Sequence, residues 1–428
     1  MPGTRRSTSR PTFGRSSTRE ELYTCLTRCG DTLFELCDAM LCEDGPVTSP
    51  VDRTLVAEHR RGHGALYDAL NQGRIDVGGL RKALAKLPQP KAADGRLVLA
   101  VDVSAWLRPD APTSPDRLFC HVYGRSGCSS DQFVPGWSYS FIAALETGRT
   151  SWCQLLDAVR LGPDDVVAEV TAAQVRRVVT DLIGQGQWET GDDDILVVFD
   201  AGYDAPRMAY LLDGLPVEVL GRMRADRVMR RPTPSLKEYA LAYPRGGRPP
   251  KHGKEFRFAK PETWGAPDAE TVQVTDRYGT AQAMAWDRIR PLLTTRSTWI
   301  DHDGELPVIE GTLIRFQVDH LPGGGDPLSL WLWSSKTGMT REAAADLRRP
   351  WERRAEPARL TPARVRRGFR NLRPHLHCPA RVPKPSTPAP GRPLGSKNRR
   401  PVTRYDVGKS TRRPESIAER NQLKARRP

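Results

Sequence analysis

Several features of membrane and secreted proteins are missing from this 428-residue chain. It has no run of about 20 consecutive apolar residues, the length that crosses a bilayer as a helix, so we expect no membrane-spanning segment. Its basic N-terminal stretch has no apolar core, which is unlike a secretory signal. The eight cysteines form no CxxC pair, which argues against a disulfide framework. The simplest compartment is therefore a reducing cytoplasm.

Acidic residues are scarce near the C-terminus. Residues 379–428 contain fourteen Lys or Arg against three acids, so eleven of the fifteen net positive charges lie there. Pro is frequent and apolar residues are few in the same stretch, which predicts a disordered basic tail over residues 378–428. Such a tail indicates a polyanionic partner, most often nucleic acid. The alternative is a tail that only increases solubility.

Hydrophobic periodicity predicts a helical domain at the other end of the chain. We expect residues 1–17 to be disordered and residues 18–90 to form this domain, with Thr18 capping its first helix. Cys25 and Cys29 are spaced one helical turn apart in that helix. They are either a weak metal pair or, more commonly for free cysteines, small buried apolar residues.

A pattern of strands with one long helix begins at Arg96. Two nearly continuous apolar runs, at 97–107 and 195–200, are typical of strands buried on both faces. Three other strand candidates and a helix at 170–186 fill the space between or beside them. The fold class is therefore α/β, and three further segments are predicted: a core over 96–244, a β-rich insertion over 245–338 and short basic helices over 339–377.

Two aspartates occupy special places in the apolar runs. Asp102 lies inside the first run and Asp200 ends the second. An unpaired carboxylate in an apolar strand is costly, so each should have a partner. Two such acids at one sheet edge suit Mg²⁺, which often takes one or two protein carboxylates. The alternative is that each aspartate only accepts backbone hydrogen bonds at a strand end.

Long ordered segments of the chain resemble bacterial insertion-sequence transposases of the DDE class. The resemblance is carried by RLVLAVDVSAWLRPDAPTSPDRLFCHVYGRSG, FVPGWSYSFIAALETGRTSWCQLLDAVRLGP, ILVVFDAGYDAPRMAYLL and VLGRMRADRV. It implies a ribonuclease-H-like core, in which Asp102 matches the first family acid and Asp200 the second. It also implies a two-metal site with Mg²⁺ or Mn²⁺, and cleavage and strand transfer at the ends of a mobile element.

The resemblance also implies partners. They are double-stranded DNA, as terminal repeats and target, and further copies of the chain in a homo-oligomer. The protein would then be cytoplasmic and associated with the nucleoid.

The third acid of the family has no clear match. In the family it lies on a long helix after the β-rich insertion, but here only residues 339–345 separate two blocks that relatives hold well apart. We therefore infer an internal deletion, with Glu342 and Asp346 as the nearest replacements. Two functions stay open: an active transposase, or a remnant that binds DNA without cutting it. A metal-independent hydrolase with paired carboxylates is a weaker third, because the charge favours phosphates.

Basic motifs suggest further DNA contacts. GGRPPK and PGRPLGSKNRR each contain a Gly-Arg-Pro core resembling an AT-hook, whose Arg enters a narrow minor groove. The first copy is alternatively a simple turn. The residues concerned are Arg248, Arg392, Lys397, Arg399 and Arg400. After the predicted fifth core strand, three further residues are expected to bind phosphate or else to form a solvated edge: Arg222, Arg224 and Arg227.

Overall fold

The structure is a computed structural model that describes residues 16–384, apart from several gaps. The gaps are 44–48, 93, 123–131, 147–152, 243, 245–246, 248–249, 277, 297–298, 301, 322 and 339–361. Several predicted features lie outside the described residues: segment 1–15, Arg248, Glu342, Asp346, Arg392, Lys397, Arg399 and Arg400.

Helices occur at both ends of the described chain and between the strands. They are α1 (Ser16–Cys25), α2 (Gly30–Cys42), α3 (Pro50–Thr54), α4 (His63–Gln72), α5 (Val77–Lys86), α6 (Val167–Gly184), α7 (Ala205–Leu211), α8 (Leu236–Ala242) and α9 (Pro362–Leu372). None of these described helices is both long and apolar enough to cross a membrane.

Most of the strands lie between residues 98 and 334. Two short ones lie among the N-terminal helices, β1 (Leu26–Arg28) and β2 (Arg74–Ile75). The others are β3 (Val98–Leu107), β4 (Leu118–Val122), β5 (Gln132–Leu145), β6 (Cys153–Arg160), β7 (Ile195–Phe199), β8 (Val217–Met223), β9 (Val228–Arg230), β10 (Glu255–Arg257), β11 (Ala269–Thr275), β12 (Gly279–Ile289), β13 (Gly311–Val318) and β14 (Leu330–Ser334).

The first predicted helix is interrupted, which corrects the sequence analysis. The chain enters a helix at Ser16, two residues before Thr18, and leaves it after Cys25 because β1 pairs antiparallel with β2. Cys29 has a left-handed backbone (φ 56°) that redirects the chain into α2. Cys25 and Cys29 therefore lie on different elements and are not one helical turn apart. The pairing with β2 supplies the hydrogen bonds that a continuous helix would have made locally.

One large mixed sheet dominates the structure and confirms the α/β class. Its central strands run in the order β6, β5, β3, β7, β8, with β3 antiparallel to β5 and parallel to β7. This arrangement is consistent with the expected ribonuclease-H-like core. Four of the five strands in the predicted insertion, β11–β14, continue the same sheet, because β14 pairs antiparallel with β8. The fifth, β10, pairs with β9 instead.

The two faces of the central strands are unequal. Alternate residues of β3, such as Leu99 and Val101, are buried in the main core with Val175 and Leu182 of α6. On β8, Gly221 lies so close to Ala205 of α7 that an added Cβ would be 2.3 Å from the Ala205 methyl. The helices α6 and α7 therefore pack on one face, and the residues between these positions point to the other.

The chain returns to the N-terminal helices after α9. Nε of Arg373 donates to Asp38 of α2 (2.7 Å), and the backbone N–H of Arg381 donates to Asp31 (3.0 Å). Ala380 is buried with Leu26 and Phe34 of the N-terminal part. Packing thus extends to residue 381, beyond the predicted start of the tail at 378, because a short apolar cluster and charged contacts anchor this segment.

Candidate active site

Asp102, on the central strand β3, and Asp200, directly after the neighbouring central strand β7, lie side by side, level with the C-terminal end of β7. Val101 of β3 is level with Phe199 of β7 in the parallel pair, so the residues that follow each of them are also level. Val101 and Phe199 point into the core, and strand alternation turns Asp102 to the opposite face. Both carboxylates are exposed. The apolar run therefore carries Asp102 without burying it.

One oxygen of each carboxylate accepts a hydrogen bond from a backbone N–H. The N–H of Val103 donates to Oδ1 of Asp102 (2.9 Å), and the N–H of Gly202 donates to Oδ1 of Asp200 (2.9 Å). These bonds fix the orientation of both side chains. In the part of the chain that the structure describes, the second oxygen of each is left for a ligand.

The two charges influence each other. Partial burial raises the pKa of Asp102 above its ordinary value, and the neighbouring charge of Asp200 raises it further, against the opposing hydrogen bond from Val103. Two carboxylates held this close repel each other, and a bound cation would relieve the repulsion. The electrostatics therefore fit a cation site.

Tyr203 is a buried core residue close enough to the pair to be influenced by both charges. It is 8% exposed, packs on Phe199 with ring centroids 5.1 Å apart and lies 3.3 Å from the Thr171 hydroxyl. Burial raises the pKa of the Tyr203 phenol, and the charges of Asp102 and Asp200 act in the same direction. The phenol therefore stays protonated at neutral pH and supports the site without adding charge.

The residues that follow Asp200 in the turn have structural roles. A Cβ added at Gly202 would lie 3.1 Å from Oδ1 of Asp200, so a larger residue would crowd the carboxylate. Asp204 accepts from the N–H of Arg207 at the start of α7 and acts as the N-cap of that helix. Asp204 therefore has a capping role and is not a substitute for a third acid.

The donor set fits one divalent cation. Mg²⁺ binds oxygen ligands and commonly completes its shell with water around one or two carboxylates. Among the described residues, no group of three or more His, Cys, Asp or Glu side chains is arranged to hold a metal. The described part of the site thus fits a single ion held by Asp102 and Asp200, whereas a two-metal site needs a further ligand.

The three predicted phosphate-binding arginines differ in their surroundings. Arg222 follows Gly221, which is level with Phe199, so it is level with Asp200 on the neighbouring strand and is exposed. Arg224 pairs instead with Asp226 (2.7 Å), and Arg227 lies 3.6 Å from Asp204. Arg222 is therefore the best placed of the three to meet a phosphate at the carboxylates.

Sequence analysis missed two parts of this site. Tyr203 gave no pattern of its own, since it follows a turn and its depth depends on tertiary packing. The aromatic side chains of β5 did give a signal: in FVPGWSYSF, alternate positions hold Phe133, Pro135, Trp137, Tyr139 and Phe141, and all but Pro135 are aromatic. Such a period is typical of one strand face, and Phe141 is indeed opposite Asp102.

Comparison with known proteins identifies the family. The comparison with curated proteins gives no match. A family model described as DDE superfamily endonuclease matches residues 21–292, a range that contains both carboxylates, Arg222 and most of the sheet. Because this match spans more than half of the 428 residues, the chain belongs to the DDE superfamily endonucleases.

Proposed function

We propose that the protein is a DDE-type transposase of a bacterial insertion sequence, which cuts and joins DNA strands at the ends of its element. The observation that carries the proposal is the pair of carboxylates, Asp102 and Asp200, set level on adjacent parallel strands in a DDE-family core. A bound Mg²⁺ or Mn²⁺ would supply activation of a water or 3′-hydroxyl and stabilisation of the leaving oxygen.

The protein's own groups would position the substrate. Asp102 and Asp200 would hold the cation, and Arg222 would contact a phosphate beside them, since its guanidinium is always charged and suited to phosphate oxygens. Arg224 and Arg227 would also bind phosphates. Each would first leave an exposed ion pair, and such pairs are weak. Tyr203, which is buried, would exclude water from the core next to the site.

The remaining partners belong to the same proposal. The basic tail, with the Gly-Arg-Pro core around Arg392, and the loop at Arg248 would grip double-stranded DNA at the terminal repeats and the target. The active form would be a homo-oligomer that pairs two ends, associated with the nucleoid in the cytoplasm. The net charge of +15 supports a polyanionic partner for this chain.

A second function is a transposase remnant that binds DNA without cutting it. It is favoured by the absence of a third metal ligand among the described residues. It is also favoured by the seven residues, 339–345, available where the family carries a long helix, which suggests an internal deletion. With two carboxylates, the nucleophile and leaving group would be positioned poorly together. Glu342 and Asp346 are the proposed replacements in the active form.

A nicking assay distinguishes the two functions. Supercoiled plasmid carrying the element's terminal repeats is incubated with the full-length protein in Mg²⁺, Mn²⁺ or EDTA. An active transposase converts it to open circles with either metal, and Asp102→Asn or Asp200→Asn reduces the rate to background. Asp68→Asn is the control, because this acid is exposed on α4 and has no part in the proposed metal or DNA site.

The other outcomes are equally informative. Plasmid that is bound and shifted but never nicked identifies the remnant and overturns the enzyme. Nicking that survives both substitutions contradicts the assignment of the carboxylates. Loss of nicking in Glu342→Gln or Asp346→Asn, with DNA binding retained, would identify the third acid.

A further inference from the structure

An aromatic strip runs along the open face of the sheet, starting beside the carboxylates. It consists of six side chains that share this face: Trp106, Phe119, Phe133, Trp137, Tyr139 and Phe141. Strand register establishes the shared face, because Phe141 is opposite Asp102, and Trp137 is opposite Trp106 with ring centroids 6.0 Å apart. Sequence analysis did not assign a role to these side chains.

The far half of the strip is unusually exposed for large rings. Trp106 is 54% exposed, Phe119 55% and Phe133 69%. A run of exposed aromatic side chains on a single face marks an interaction surface more often than isolated exposed rings do. Because Phe119 lies opposite Pro135, between Phe133 and Trp137 on β5, the rings form one patch across three strands.

Positive charge lies over the same rings. The guanidinium carbon of Arg108 is 5.5 Å from the Trp106 ring centroid, and that of Arg117 is 5.1 Å from the Phe119 centroid. Arg108 also pairs with Asp110 (3.4 Å), but both are well exposed, so a phosphate can replace this partner at little cost. Flat rings beside guanidinium groups match the bases and phosphates of a nucleic acid strand.

The length and direction of the strip point to an extended strand. Side chains on one face of a β-strand repeat every two residues, so Phe133 to Phe141 spans about 27 Å. The strip ends where Phe141 meets Asp102. In a duplex the ring faces of the bases are stacked on each other and unavailable, whereas unpaired bases can stack on protein aromatics. A strand lying here would therefore be single-stranded and would lead towards the carboxylates.

We propose that the aromatic strip binds the unpaired bases of a DNA strand leading into the Asp102–Asp200 site. This inference rests on the proposed function, since it gives that site a substrate that is locally melted. Trp106 and Phe119 each stack on a base from opposite sides of β5, and Arg108 and Arg117 contact nearby phosphates. The strip thus holds the strand on one side of the cleavage point after the duplex opens.

Binding in EDTA tests the strip apart from catalysis. The full-length protein is titrated into a fluorescein-labelled 20-nucleotide single strand and into the same sequence as a duplex, and anisotropy is measured. Trp106→Ala and Phe119→Ala are each expected to weaken single-strand binding about 5- to 100-fold, the range for loss of one stacked base. Duplex binding should change less than about twofold, because it depends on phosphates.

Three variants serve as controls. Tyr67→Ala removes a comparably exposed ring (43%) on α4 and should leave both affinities unchanged. Trp106→Phe keeps a stacking ring and should restore most of the single-strand affinity. Asp102→Asn should bind the single strand normally while failing to nick, so failure of the strip and failure of the catalytic proposal give different results.

The proposal is overturned by either of two outcomes. One is that Trp106→Ala and Phe119→Ala bind the single strand as well as the unaltered protein does. The other is that these variants change the oligomeric state in sedimentation without changing single-strand affinity, which would make the strip a contact between copies of the chain. Because all the substituted rings are exposed, circular dichroism should show an unaltered fold in each variant.

Discussion

At the scale of single residues, the carboxylate pair lowers the free energy of unfolding. The pKa of Asp102 is raised by partial burial and then by Asp200, so its ionised form is less stable in the folded chain than in the unfolded one. Stability therefore falls as pH rises through the range between the ordinary value and the raised one. This is the pattern expected where like charges are held together for a cation rather than for the fold.

Neutralising Asp102 should accordingly stabilise the protein. Asp102→Asn is expected to raise the melting temperature slightly at neutral pH while abolishing nicking, because it removes the repulsion with Asp200. Millimolar Mg²⁺ should raise the melting temperature of the unaltered protein by binding the folded state, and should do so much less for Asp102→Asn. Differential scanning fluorimetry measures both effects.

Asp68, exposed on α4, again provides the control. Asp68→Asn should leave both the melting temperature and its response to Mg²⁺ unchanged. An Mg²⁺ response that persists in Asp102→Asn would contradict a role for this carboxylate as ligand.

Arg222 gives a second test at this scale. Arg222→Ala is expected to lower nicking more than duplex binding, because Arg222 is level with Asp200. In the proposed function it would contact a phosphate only when DNA lies at the carboxylates. Arg224→Ala should have a smaller effect, since Arg224 already pairs with Asp226. Nicking rates and anisotropy titrations on the same preparations separate the two. Equal effects of both substitutions would contradict the special placement of Arg222.

At the scale of elements, the turn that follows α9 is joined to α1 and α2 by a buried ionic cluster. Asp38 is 1% exposed and accepts from both guanidinium nitrogens of Arg19 (2.6 and 2.7 Å) and from Arg373 (2.7 Å). Arg19 also lies over the Phe34 ring, 4.7 Å from its centroid. One carboxylate thus connects helices that are more than 300 residues apart in the chain.

Removing Asp38 should be strongly destabilising. Asp38→Ala leaves two guanidinium groups without their carboxylate in a buried place, which is expected to cost about 3–5 kcal/mol of unfolding free energy. Urea denaturation followed by circular dichroism measures the loss. The comparison is Lys86→Ala, which breaks the exposed pair with Glu21 (2.6 Å) and should cost less than about 1 kcal/mol. Similar losses in both variants would contradict the structural importance of the cluster.

At the scale of the whole molecule, the C-terminal part of the chain has two segments: one packs on the N-terminal helices, and the next carries most of the net positive charge. Residues 362–381 pack on the N-terminal helices through α9 and the segment around Ala380. Residues 385–428, which the structure does not describe, carry twelve Lys or Arg against three acids. We therefore expect stability to depend on the first of these segments and DNA affinity on the second.

Two truncations test this division. Ending the chain at residue 384 should leave thermal stability unchanged, weaken duplex binding and reduce the salt dependence of the binding constant by several units of slope. Ending it at residue 361 should in addition lower stability, because it removes Arg373 and uncovers Leu26 and Phe34. A salt dependence that is unaffected by the shorter deletion would show that the tail does not contact phosphates.

The sequence by itself determined the α/β class, nearly all the strands and the carboxylate pair. The apolar runs around Asp102 and Asp200 are long and regular, so local pattern and tertiary structure agree there. The aromatic period of β5 was also visible, although only the register with β3 shows that it adjoins Asp102.

Only the tertiary structure decided the features that depend on distant partners. The break at Leu26 arises because β2, almost 50 residues later, supplies hydrogen bonds that compete with the helix. The exposure of Asp102 depends on its face of the sheet, which is opposite to the one where α6 and α7 pack. The anchoring of Ala380 depends on Leu26 and Phe34. Local composition cannot encode such contacts, since their free energy comes from surfaces brought together by folding.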